Sequence, residues 1–107
     1  MSSRIKKQAP FLKWLSKSKP SCAKAIIKSG DKELIHTLSE CSLNVLNGVV
    51  PLSTAQRRRL KKYKSHLRTL SKKSVACSRK KALLMKGGFL QSLLIPVVSL
   101  ISSLFNH

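Results

Sequence analysis

Acidic side chains are nearly missing from this sequence: three Asp and Glu stand against 22 Lys and Arg, a formal net charge of +19 over 107 residues. A surface neutralised by its own Lys–Glu pairs is therefore excluded, and the basic stretches hold no carboxylate pair for acid–base chemistry. Aromatic residues make up 5% of the chain, too few for base stacking on aromatic platforms to be a main binding mode. The cysteines, Cys22, Cys41 and Cys77, are odd in number and share no CxxC spacing. They give no disulfide framework and no zinc signature, and read as small buried thiols or free surface thiols. None of the few glycines belongs to a phosphate-loop motif. His36 and His66 stand alone in sequence, which points to packing or surface roles. No enzyme, cofactor or metal site is expected. The first fifteen residues, MSSRIKKQAPFLKWL, lack the long apolar run of a secretory signal, and an intracellular or intravirion setting fits.

What charge there is lies in blocks. Residues 1–32 carry nine basic side chains and one acid, and residues 33–56 carry no Lys or Arg but hold Glu33 and Glu40. Residues 57–86 carry thirteen basic side chains and no acid, and residues 87–107 have no charged side chain apart from His107. Each block has a different preference for solvent. The organisation expected is a basic N-terminal segment (1–19), a basic helical domain (20–86) and an apolar C-terminal tail (87–107). A chain of this length has room for one small domain.

The apolar spacing predicts an all-α fold of four to five short helices in a loose bundle, closed by a C-terminal apolar helix. Pro10 and Pro20 punctuate the first block, around short apolar turns at Phe11–Leu15 and Ala23–Lys28. Gly30 followed by Asp31 reads as a C-cap and then an N-cap. After it, Leu34, Leu38, Cys41 and Val45 recur at helical spacing, widened by Ile35 and Leu46, and Gly48 with Pro51 stops the run. Asp31–Asn47 is thus expected to be the most buried helix. Ser53 and Gln56 form a capping-box pattern. Leu60, Tyr63, Leu67 and Leu70 make the packing face of the next helix, with Ser74 as an interruption. A further helix runs to about Met85, where Gly87-Gly88 breaks it.

Arg57, Arg58, Arg59, Lys61, Lys62, Lys64, Arg68, Lys72 and Lys73 fall within 17 residues. A helix carrying them is cationic around most of its circumference. Arg79, Lys80 and Lys81 extend the set. Such a block neutralises phosphates and releases condensed counterions, and each contact steepens the salt dependence of binding by roughly one log unit per log of salt. The pattern offers phosphate contacts and no recognition motif, so binding is expected to be indifferent to sequence, and the charge pattern by itself leaves DNA and RNA both open. RRRLKKYK is also compatible with nuclear import.

In the tail, Leu90, Leu94, Val97, Ile101 and Leu104 share one helical face, with Ser92, Ser99, Ser103 and Asn106 near the opposite one. Pro96 is expected to kink or split that helix. Three fates are open: spanning a membrane, for which the apolar stretch is marginal; lying in an interface as an amphipathic helix; or packing on helices of this chain or a partner. The membrane readings would make this a membrane-associated protein whose basic block rests on anionic headgroups.

Residues 85–96, Met-Lys-Gly-Gly-Phe-Leu-Gln-Ser-Leu-Leu-Ile-Pro, resemble the junction in the adenoviral core protein X precursor, whose mature basic peptide is mu. There a DNA-condensing segment precedes a Met-x-Gly-Gly site and an apolar segment containing Leu-Ile-Pro. The resemblance implies a maturation-protease site at Met85, Gly87, Gly88 and Phe89, cut between Gly88 and Phe89. Two glycines suit a narrow cleft that side chains would obstruct. The chain order, including ECSLNVLNGVVPL (Glu40–Leu52) and the following LSTAQRRRLKKYKSHLR, also resembles small basic proteins of adintoviruses and of Polinton (Maverick) elements. That resemblance implies a virion core protein that condenses double-stranded DNA, located in the virion core and host nucleus.

Overall fold

The computed structural model describes residues 3–105, with side chains described as far as Ser103. Its centre is α4 (Lys32–Leu46). Asp31 starts this helix by accepting a hydrogen bond from the Leu34 N–H at 3.0 Å, a cap worth about 1 kcal/mol. Leu34, Ile35, Leu38, Cys41 and Val45 then turn inward. Asn47 and Gly48 end it, and Gly48 takes the left-handed conformation (φ 74°) that side chains disfavour. Gly30, just before Asp31, is reserved for a different reason. A Cβ there would come within 2.8 Å of Leu34 Cδ2 and 3.1 Å of the Ile26 carbonyl.

Before α4 come α1 (Ser3–Lys7), α2 (Ala9–Lys17) and α3 (Pro20–Ser29). Pro10 and Pro20 each sit in the first turn of a helix. There the missing N–H costs nothing and the fixed φ suits the helix. After α4, Ser53 and Gln56 form the reciprocal capping box that starts α5 (Thr54–Lys61). α6 (Lys64–Ser71), α7 (Cys77–Leu84) and α8 (Phe89–Phe105) follow. Among the described residues the fold is all-α with no strand, in eight helices rather than four to five. Three helices, α1 among them, precede α4, and the expected single basic helix breaks between Lys62 and Tyr63. The break sends α5 against α8 and α6 against α4, so Leu60 and the Leu67–Leu70 pair bury against different partners.

The bundle is not loose. Its radius of gyration is 12.6 Å, against about 13 Å for a folded domain of this length. α4 packs against α1, α6, α7 and α8, and α8 packs against α2, α4, α5 and α7. One apolar cluster runs through all of them, from Ile5 and Leu12 on the N-terminal helices to Leu94 and Val97 on α8. Ser42 adds a buried hydrogen bond, its hydroxyl donating to the Leu67 carbonyl at 2.7 Å.

α8 continues through Pro96 as one helix, so of the kink or split expected there the split does not occur. Leu90, Leu94, Val97 and Ile101 are buried as the helical face requires, and Phe89, Leu93 and Ser92 are buried beside them. The covered arc is wide because α8 is hemmed in by α2, α4 and α5. Leu104 and Asn106 fall outside the described side chains. In the described residues no single helix is long and apolar enough to cross a membrane, though α7 and α8, bent at 90° to each other, reach the composition as a pair.

Candidate nucleic-acid interface

Ten of the twelve expected cations lie on the surface. Arg57, Arg58, Arg59 and Lys61 stand on α5, Lys62 at its end, Lys64 and Arg68 on α6, Lys72 and Lys73 in the following loop, and Arg79 on α7; all ten are exposed. The sequence folds this way because α5 and α6 each bury only a narrow leucine edge: Leu60 on α5, and Leu67 with Leu70 on α6. Most of the remaining directions are left to solvent and to charge. Arg58, Arg59 and Lys61 also lie in the last turn of α5, where cations offset the helix dipole by a few tenths of a kcal/mol. That modest gain does not account for ten cations.

The three acids are elsewhere. Asp31 is engaged as the cap of α4, Glu33 lies in its first turn, and Glu40 accepts from Arg4 at 2.9 Å. α5, α6 and α7 carry none. Like charges on this surface therefore face one another across water, an arrangement that raises the free energy of the isolated chain and that a polyanion relieves.

Lys80 and Lys81 do not join the surface as expected. Lys80 is 4% exposed, with its Nζ donating to Ser39 Oγ at 3.1 Å. Burial holds its ammonium below the ordinary lysine range, with the neighbouring Cys77 opposing that shift. Its four-carbon stem fills the space between α7 and α4, which a reading of charge alone could not anticipate. Lys81 is half-buried and donates to the Lys28 carbonyl at 3.2 Å, tying α7 to the end of α3.

The Met85–Phe89 junction is a tight turn between α7 and α8. Gly87 has a left-handed φ of 50°, Gly87 and Gly88 are exposed, and Met85 is half-buried. Phe89 is fully buried. Its ring lies 5.3 Å from that of Tyr63 and 5.4 Å from that of His66. An extended strand in a protease cleft is a different conformation, so a cut between Gly88 and Phe89 requires this corner to open first.

The histidines have ordinary places: His36 is exposed, and His66 packs against Phe89 with its Nδ1 buried and without a hydrogen-bond partner. All three cysteines are free thiols, with Cys41 buried and Cys22 exposed. Burial first, and the neighbouring Glu40 charge second, push the Cys41 thiol up to about 12. Sequence reasoning passed over Phe11 and Trp14 as surface features. Their rings stack at 5.9 Å on the outer face of α2, because Leu12 and Leu15 claim the inner one.

No family model, no curated protein and no solved structure matches the chain.

Proposed function

We propose that this chain binds nucleic acid, double-stranded DNA foremost, by neutralising backbone phosphates without reading sequence. The observation that carries the proposal is the set of ten exposed cations between Arg57 and Arg79, in a thirty-residue stretch without an acid. Arg57, Arg58, Arg59, Lys61, Lys62, Lys64, Arg68, Lys72, Lys73 and Arg79 contact phosphate in this reading, and Lys80 and Lys81 contribute charge from beneath. Side chains on several short helices can follow curved or crossing duplexes, and this supports condensation as well as binding.

The biological setting we propose is the core of a virion of the adintovirus or Polinton type. It rests on the resemblance of residues 85–96 to the core protein X junction and on the order of basic block, Met-x-Gly-Gly and apolar segment. In that setting a maturation protease cuts after Gly88, and α8 is released only when the corner at Phe89 opens. No catalytic role is assigned to any residue.

A second reading, contact with an anionic membrane, is favoured by one observation: Trp14 is 54% exposed and Phe11 38%, on a helix flanked by Lys6, Lys7, Lys13 and Lys17. In this version α2, rather than the buried tail residues, meets the headgroups.

The test is the salt dependence of duplex binding in the variant Arg57→Ala/Arg58→Ala/Arg59→Ala. Each lost phosphate contact lowers the slope of log K against log salt by about 0.9, so three lower it by about 2.7. Between 50 and 200 mM salt the wild-type chain then loses about fortyfold more affinity than the variant. The change is the same for unrelated duplex sequences. A loss confined to one sequence would contradict the mode.

A further inference from the structure

Beneath the cationic surface lies a second polar feature. Arg4 on α1, Ser39, Glu40 and the apolar Leu43 on α4, Ser71 at the end of α6, Lys73 in the following loop and Lys80 on α7 are among the residues that line one cavity of about 200 Å³. Lys80 is its inner wall. One of the three ammonium N–H bonds reaches Ser39 Oγ at 3.1 Å, and the Ser39 hydroxyl is already committed as a donor to the Ile35 carbonyl at 2.8 Å. Ser39 therefore meets Lys80 as an acceptor, and two of the ammonium donors are left for a further acceptor. A buried ammonium with a single neutral partner is an expensive arrangement that an anion resolves. The carboxylate in the cavity, Glu40, is engaged by Arg4 at 2.9 Å. The lining holds three basic side chains, Arg4, Lys73 and Lys80, against that single acid. A space of about 200 Å³ is many times the roughly 10–15 Å³ that one water needs, so it has room for one tetrahedral oxyanion and accompanying solvent.

We infer that this cavity is a phosphate site, in which Lys80 and Lys73 supply point charges, Ser71 offers its hydroxyl and Arg4 braces Glu40 away from the anion. Lysine is suited to this task because its compact ammonium can approach a phosphate oxygen from any direction. The site deepens the nucleic-acid reading and rests on it for its source of phosphate. It differs from the surface cations in kind: they attract a polyanion diffusely, whereas this pocket holds one group in one place. The group arrives either as a terminal phosphate on a nucleic-acid strand or as a backbone phosphodiester.

The test uses the full chain, with amide NMR shifts followed during a titration with inorganic phosphate at constant ionic strength set by chloride. Saturable shifts are expected at Ser39, Ser71, Lys73 and Lys80. Lys80→Met, which keeps the stem and removes the charge, should weaken phosphate binding by at least about tenfold, leaving the salt slope of duplex binding within about one unit of wild type. The Arg57→Ala/Arg58→Ala/Arg59→Ala variant should do the reverse. If Lys80→Met does not fold, Ser71→Ala/Lys73→Ala tests the same pocket from its outer rim. Competition then separates the sources. A 5′-phosphorylated oligonucleotide that displaces phosphate where its 5′-hydroxyl counterpart does not marks a terminal group; equal displacement by both marks the backbone. Shifts that spread over the whole basic surface without saturating, or that survive both pocket variants, overturn the site. Failure of duplex binding with saturable phosphate binding intact would overturn the nucleic-acid reading and leave the pocket standing.

Discussion

Phe89 is the residue at which packing and processing meet, and Phe89→Ala tests both. The side chain is fully buried and its ring has aromatic neighbours at 5.3 and 5.4 Å. Truncating a buried phenylalanine costs about 3–5 kcal/mol, through lost transfer energy and the cavity left behind. A domain of this size is stable by about 5–15 kcal/mol in total, so the variant loses a large share of its margin. At about 4 °C per kcal/mol, the midpoint of thermal unfolding falls by roughly 12–20 °C. Far-ultraviolet circular dichroism during a thermal or urea titration reads this directly. The cations of α5 and α6 stand on other faces, so duplex affinity measured well below the new midpoint stays at the wild-type value. A loss under about 1 kcal/mol would refute the packing described for α8 and would free the tail for a role outside the core.

The remaining expectations concern processing and titration. An adenovirus-type protease should yield a product ending at Gly88, and cleavage of folded Phe89→Ala should exceed that of wild type by about two orders of magnitude or more, because the open corner is populated that much more. An intact chain under conditions that cut a control peptide would remove the processing reading. For Cys41, the folded thiol is pushed from 9.0 up to about 12, so the folded state holds its proton more tightly than the unfolded state does. The stability tied to that proton is fully present below pH 9.0 and is lost as pH rises toward about 12. A thiol reagent near pH 8 should accordingly modify exposed Cys22 rapidly, while Cys41 reacts only on unfolding. Equal rates at both sites would contradict the burial.

The helices that were legible in the sequence are those written by local chemistry. Asp31 and the Ser53–Gln56 pair announce caps, Gly48 announces a stop, and the Leu34–Val45 stripe announces α4. What was not legible depends on distant partners. The break at Lys62–Tyr63 carries no Gly or Pro, and it lets α5 pack on α8 while α6 packs on α4. Pro96 passes inside a helix that is held on several sides by its neighbours. In the candidate interface, the exposure of ten cations is legible from charge alone, since a cation without a local acid defaults to solvent. Lys80 escaped that rule because its stem is apolar, and only the tertiary fold sets Ser39 within reach of its ammonium.

The central claim is that this cationic surface exists for a polyanion with regularly spaced phosphates. The most direct measurement is the affinity of the purified chain for a random-sequence duplex across 50–300 mM salt, beside RNA and vesicles containing anionic lipid. The account predicts duplex binding with a slope of about −5 to −9, from roughly six to ten phosphate contacts, unaffected by base sequence and tighter than binding to vesicles. A chain that ignores duplex DNA at 50 mM salt, or binds it with a slope near zero, would contradict it.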